Sequence, residues 1–185
     1  MFKPLYLGTN HMFGQDAYVP VMTQNFEIRI YNMDGSTPGE YADTLTLTTD
    51  SISEISESQN TIEVHYGNGM IKFPGKVTFD DVDWTLNCFT SPNTLEALRA
   101  WKRQIYDTNT EAMGKPTQYM KQAYVIRYSG DGEQVMDVIK LPGVWIKNLK
   151  NGSMAQKGDE MVQVSVTLVV SKAIYLRPED FGNIS

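Results

Sequence analysis

The stretch KVTFDDVDWTLNCFTSPNTLEALRAWKRQIY, from Lys76 to Tyr106, decides how the rest of the chain is read. Val77 and Phe79 alternate with polar neighbours in one parity, and Val82, Trp84, Leu86 and Cys88 in the other. Period-two alternation of large apolar residues marks a half-buried strand. The parity changes at Asp80–Asp81. A one-residue slip turns every following side chain to the opposite face. The sequence therefore predicts a β-bulge or sharp bend at Asp80–Asp81, with one backbone serving two surfaces. Ser91, Pro92 and Asn93 then open a helix. Proline is tolerated in the first turn, where its missing N–H costs nothing. Asn93 with Glu96 forms a weak capping box. Leu95, Leu98, Trp101 or Lys102, and Ile105 recur at helical spacing. One long helix is expected, over about residues 92–106.

Upstream, residues 1–20 are irregular and apolar, with Phe2, Tyr6 and Phe13 among them. Such an arm is expected to pack on its own domain or on a neighbour. Asn25–Asn32 alternates as a strand. Residues 33–43 are rich in turn formers, and Thr44–Thr49 reads as a second, modest strand. Asp50–Asn60 is acidic and serine-rich, with only Ile52 and Ile55 as apolar anchors. It is expected as a short helix or an extended loop, and a loop of this length is often functional. Thr61–Tyr66 and Met70–Phe73 flank the tight-turn signal Gly67-Asn68-Gly69.

Downstream, Gln122–Ser129 is a strand, followed by the turn Gly130-Asp131-Gly132. Gln134–Leu149 is a strand interrupted by Pro142-Gly143, which suggests a bulge or an edge position. Asn151–Asp159 is a polar loop. Met161–Val170 alternates cleanly, with Val162, Val164, Val166, Leu168 and Val170 on one face and Gln163, Ser165 and Thr167 on the other. The expected fold class is mainly β: a sandwich or partial barrel of two packed antiparallel sheets flanked by one α-helix. The expected organisation is an N-terminal arm (1–20), a single β-rich domain (21–176) and a C-terminal tail (177–185).

With 185 residues the chain is long enough for one well-cored domain. Its net charge is −6, from 16 basic and 22 acidic residues. A protein that grips phosphates usually carries the opposite balance. A single cysteine rules out an internal disulfide framework. Cys88, on an apolar strand face, reads as a small buried hydrophobe. No apolar run is long enough to span a membrane, and the N-terminus lacks a secretory h-region. No membrane anchoring is expected, and the chain reads as made and used in a cytoplasm.

Chemistry is sparse. His11 and His65 have no ligand partners at zinc spacing. No nucleophile elbow and no Walker loop occurs. Gly130-Asp131-Gly132 joins strand to strand, so it reads as a turn. Asp80, Asp81 and Asp83 cluster, but polar residues at a bulge solvate the disrupted ladder. Trp84, Trp101 and Trp145 fall on different elements and read as core or interface anchors. No catalytic residue, cofactor or metal is expected.

The order of these features resembles a family. Phe79-Asp80-Asp81 lies on a long strand and is followed by the helix. Then come Gly114-Lys115-Pro116 with Tyr119, Lys121 and Ala123, a Gly143–Trp145 element, and the Val166–Leu168 strand. From about Asn25 to Val170 this resembles the tail tube protein of contractile-tailed bacteriophages, which is similar in fold to the haemolysin-coregulated tube protein of type VI secretion. The resemblance implies a structural subunit of the virion tail that forms hexameric rings, stacked into a hollow conduit. The implied partners are other copies of the chain, the sheath, the baseplate and tail terminator proteins, and a tape measure protein in the lumen. DNA would pass through without specific binding, and assembly would take place in the host bacterial cytoplasm. On this reading Ile52, Ile55, Phe2, Tyr6 and Phe13 are candidate inter-subunit contacts, and Gln163, Ser165 and Thr167 are candidate lumen-facing residues. The length of the arm and the serine content of Asp50–Asn60 leave two variants open: a tube-initiating baseplate protein and a secretion-type tube subunit. Alternatives of other classes are a β-sandwich carbohydrate-binding module and a hydrolase using Asp80 or Asp81.

Overall fold

The computed structural model describes residues 23–35, 38–91, 93–129, 132, 134–152, 161–177 and 179. The arm residues Phe2, Tyr6 and Phe13, Pro92, the Gly130-Asp131 turn and most of the C-terminal tail lie outside these. The chain runs β1 (Phe26–Asn32), α1 (Ala42–Thr48), β2 (Thr49–Ile52), β3 (Glu57–Tyr66), β4 (Gly69–Phe79), β5 (Val82–Asn87) and α2 (Thr94–Ile105). It continues through β6 (Tyr106–Asp107), β7 (Ala112–Met113), α3 (Pro116–Tyr119), β8 (Lys121–Tyr128), β9 (Val135–Lys150), β10 (Gln163–Val169) and β11 (Ile174–Leu176). Seven strands form one antiparallel sheet in the order β1-β8-β9-β10-β5-β2, with β11 also on β9. Among the described residues the sheet does not close into a barrel. The fold is mainly β, as the alternation patterns predict.

Strand β9 holds two sheet halves together. Residues Val135 to Val144 pair with β8, and Trp145 to Lys150 pair with β10. The change of partner coincides with Pro142-Gly143. There the register slips, with Lys121 opposite Val144 but Gln122 opposite Pro142. Gly143 sits at φ +76, a left-handed conformation that glycine adopts without steric cost. The proline is thus at a bulge inside the sheet, one of the few places a sheet admits it. Between the halves lies one core cluster. It joins Ile28, Ile30, Val125 and Leu141 to Trp84, Leu86, Val166 and Leu168.

The ladder breaks where the sequence places the parity switch. Strand β4 ends at Phe79, β5 begins at Val82, and Asp80 and Asp81 belong to neither. Val82 and Trp84 are 0% exposed. The break goes further than a bulge in one ladder, because β4 pairs only with β3 in a separate two-stranded sheet, while β5 pairs with β10 and β2. Each half keeps its own periodicity and serves its own surface.

One expected strand is a helix. The sequence predicts a strand over Thr44–Thr49, but Ala42–Thr48 is helical. Ala42, Leu45 and Thr48 are its buried positions, whereas Leu47 is 78% exposed. The threonine hydroxyls are absorbed without a β-ladder. Thr48 Oγ1 donates to the Thr44 carbonyl at 2.8 Å, and Thr46 Oγ1 to that of Ile28 at 2.6 Å. Tertiary burial outweighs the weak local preference for strand. The Asp50–Asn60 segment takes the extended alternative. It finishes β2, runs without regular structure over 53–56, and enters β3.

Helix α2 begins where its cap predicts. Asn93 Oδ1 accepts from the Glu96 backbone N–H at 3.1 Å. Ala97, Leu98, Trp101 and Ile105 are buried against the core. Two side chains tie its second half down. Trp101 Nε1 donates to the Tyr119 carbonyl at 2.7 Å. Lys102 Nζ donates to the carbonyls of Ile146 and Lys147 at 2.9 and 3.0 Å. Burial pushes the Lys102 ammonium pKa down from its ordinary value. Lys102→Met keeps the stem but removes both bonds. It is expected to cost about 1 kcal/mol in urea unfolding, below the usual range for a charged donor because the site is partly exposed to water. An unchanged midpoint would show that water replaces the lysine without loss.

Candidate inter-subunit surfaces

Strands β3 and β4 build a hairpin that stands away from the body. All ten residues of β3 are exposed, as are the six residues of β4 nearest the turn. The sequence pattern makes this hairpin two-faced. Ile62 lies opposite Phe73 and Val64 opposite Ile71, so these four side chains share a face. On the other face Glu63 pairs with Lys72 at 3.3 Å. Among the described residues nothing covers the apolar face: Ile62, Val64, Ile71 and Phe73 are 54%, 45%, 50% and 48% exposed, and Tyr66 is 80% exposed. An isolated two-stranded hairpin is marginal in water. A contiguous exposed apolar face marks an interaction surface. The alternation in the sequence marks both strands but not a role for this face. The signal was present in the shared parity of Ile62, Val64 and Tyr66 before a Gly-Asn-Gly turn.

The base of the hairpin is clasped by serines. Ser56 Oγ donates to Asp80 Oδ2 at 2.6 Å, and the Asp80 N–H donates to the Ser56 carbonyl at 3.2 Å. The Asp83 N–H donates to Ser53 Oγ at 2.9 Å. The serine-rich composition of 50–60 thus fastens the hairpin root to the strand break, and the aspartates serve as acceptors there. Asp81 takes an ion pair from Lys147 at 2.5 Å. Among the described residues no group of three or more His, Cys, Asp or Glu is placed to hold a metal ion.

Beside that root lies an open groove of about 740 Å³. Phe26, Ile52, Ile55 and Val125 give it an apolar floor, with Asp50 and Arg127 at the rim. The candidate contact residues Ile52 and Ile55 are both half-buried, packed against the core from this side. The candidate lumen residues Gln163, Ser165 and Thr167 fall together on the face of β10 turned away from the core. They stand in register with Asn87, Thr85 and Asp83 of β5. Thr167 Oγ1 donates to Asp83 Oδ1 at 2.8 Å, and Gln163 Nε2 to Asn87 Oδ1 at 3.2 Å. The result is a hydrogen-bonded surface of short polar side chains, with Lys150 at its margin opposite Ser165. Cys88 is half-buried, and burial pushes its thiol pKa up, away from the thiolate form.

No curated protein matches the chain in sequence at a significant level. Solved structures do resemble it. The tube-terminating cap of the anti-feeding prophage superposes with a TM-score of 0.65 at 16% identity, covering 85% of this chain and 91% of that one. A chain of the sheath–tube complex of an extracellular contractile injection system, in its extended state, also gives 0.65, at 15% identity, covering 92% of this chain and 98% of that one. The SPP1 tail tube gives 0.52 at 15% identity, covering 90% and 87%. At such identities the likeness is one of fold. The family model of the T4-like virus tail tube protein gp19 matches residues 23–173, and the chain belongs to that family.

Proposed function

We propose that this chain is the repeating structural subunit of a phage tail tube, with copies closing into rings of six that stack into a hollow conduit for DNA inside a contractile sheath. The observation that carries the reading is the two-faced hairpin, which projects from a tube-family fold with its apolar face uncovered. A monomer has no use for that face, whereas a polymer buries it. Sheath, baseplate and tail terminator proteins are the partners that fit a tube of this kind, with a tape measure protein in the lumen before ejection. The test is direct: concentrated protein is followed by light scattering and negative-stain microscopy. Rings and hollow stacks are expected. A monomeric mass at high concentration, with no tubes even when a baseplate is supplied, defeats the proposal.

The lumen wall is assigned to the outer face of β10 and β5. Gln163, Ser165 and Thr167 are uncharged, Gln163 and Thr167 are hydrogen-bonded to neighbours, and Asp83 adds negative charge, with Lys150 at the margin. DNA affinity arises mainly from counterion release as phosphates meet Lys and Arg. A wall of this composition repels or ignores phosphate, which suits a conduit. Assembled tubes are expected to leave duplex DNA unshifted in a gel across a salt series. Tight binding at moderate ionic strength that falls steeply with added salt would reveal a basic lining.

A further inference from the structure

We infer that the groove beside the hairpin root is the receptor for the apolar hairpin face of a second copy of this chain. The inference rests on the tube-subunit reading and names the surface that the hairpin meets. The groove lies where the described residues leave the core incompletely roofed. It is bordered by β1 and β2, the two terminal strands of the seven-stranded order. Its floor is half-buried apolar surface (Phe26, Ile52, Ile55), as expected of a seat meant to be covered. The outer edge of β1 is already used at Ile28 and Ile30, whose carbonyls accept from Thr46 Oγ1 and the Gly39 N–H, so the seat offered to an incoming face is side-chain burial around Phe26 and β2.

A chain's own hairpin cannot fill its own groove. Strand β3 starts at Glu57, two residues after Ile55, and the apolar pairs begin at Ile62. At roughly 3.3 Å per residue, a paired ribbon carries that face about 20 Å from its root. The hairpin would have to fold back on itself to return. A neighbour's hairpin meets no such restriction. Donor and acceptor are therefore different surfaces of one chain. Such a heterologous contact propagates from copy to copy and produces rings or filaments rather than a closed pair. The groove volume suits a few side chains of the Ile71 and Phe73 type.

The test uses the full chain with a benzophenone amino acid in place of Ile71, which is exposed and so tolerant of the change. Isotopically heavy and light copies are mixed in equal amounts, assembled and irradiated. Cross-linked peptides are then identified by mass. The expected products join position 71 to segments 23–26 or 50–55, with mixed isotopes proving that two copies are joined. Assembled tubes whose cross-links fall elsewhere overturn the inference, as do tubes with none. Cross-links into residues 1–22 of the same chain would assign the face to the arm instead. If the unsubstituted chain forms tubes and the substituted one does not, the probe moves to Tyr66, and the same outcomes decide. If the unsubstituted chain forms no ordered assembly under any condition, the tube-subunit reading fails first and the inference with it.

Discussion

A chain carrying Ile71→Asp together with Phe73→Asp is expected to fold normally and to fail in assembly. Both side chains are about half exposed in the isolated subunit, on a hairpin that reaches the main core cluster through Phe79 at its root rather than through Ile71 or Phe73. Replacing them removes little apolar burial from the folded monomer, so the urea midpoint should hardly move. At an inter-subunit contact the position is different. Completing the burial of two such side chains is worth about 1 kcal/mol each, half of what full burial yields. Two carboxylates must also be dehydrated or keep the contact open, which costs several kcal/mol more. A total near 4 kcal/mol corresponds to a rise of about a thousandfold in the concentration needed for growth. Light scattering against protein concentration measures that threshold. Polymerisation at the unmodified threshold would remove the hairpin from the interface. A loss of monomer stability above about 1 kcal/mol would show that the hairpin belongs to the subunit's own core.

What the sequence disclosed depends on how local each signal is. Val82, Trp84 and Leu86 declare a buried strand face because alternation is a property of neighbouring residues. The break at Asp80–Asp81 was visible for the same reason. Its consequence was not, because the assignment of β4 and β5 to separate sheets is a matter of distant partners. Thr44–Thr49 misled because its β-branched residues report only local preference, and burial of Leu45 against the core decided the matter. Strand β9 is the instructive case. Pro142-Gly143 signalled an irregularity, but only pairing with both β8 and β10 shows that it joins the halves of the sheet. The candidate surfaces were less accessible still. Ile52 and Ile55 stand out in the sequence as lone apolar residues in a polar run. That they floor a groove depends on Phe26 and Val125, which arrive from far along the chain. The apolar hairpin face was written in the parity of Ile62, Val64 and Tyr66. The same parity describes a strand buried in its own core, so exposure had to come from the structure.

Gly114→Ala is expected to be among the most damaging single-methyl changes in the chain. A Cβ built on Gly114 would collide with the Gln104 carbonyl oxygen and lie 3.0 Å from its carbon. These are backbone atoms in the last turn of α2, so no side chain can swing aside. The Gly114 N–H also donates to the Ile105 carbonyl at 2.9 Å, which fixes the approach. Relief requires moving the segment away from the helix. That segment leads directly into α3, where Pro116 occupies the first turn and the Tyr119 carbonyl accepts the Trp101 indole. The Gly-Lys-Pro run therefore locks α2 onto the body through backbone contact rather than through any chemistry of its own. Overpacking a rigid site costs about 1–3 kcal/mol, occasionally more. With backbone on both sides the upper end is expected, about 3 kcal/mol, or roughly 10 °C in melting temperature for a chain of this length. Gly132→Ala is the internal control. It sits at φ +78 with nothing within 4 Å of the added methyl, so it meets conformational strain but no collision. A loss of about 1 kcal/mol is expected there. Thermal unfolding of both variants separates the two causes. If Gly114→Ala is no worse than Gly132→Ala, the chain behind α2 can yield, and the close approach of Gly114 to Gln104 is not what holds this end of the helix in place.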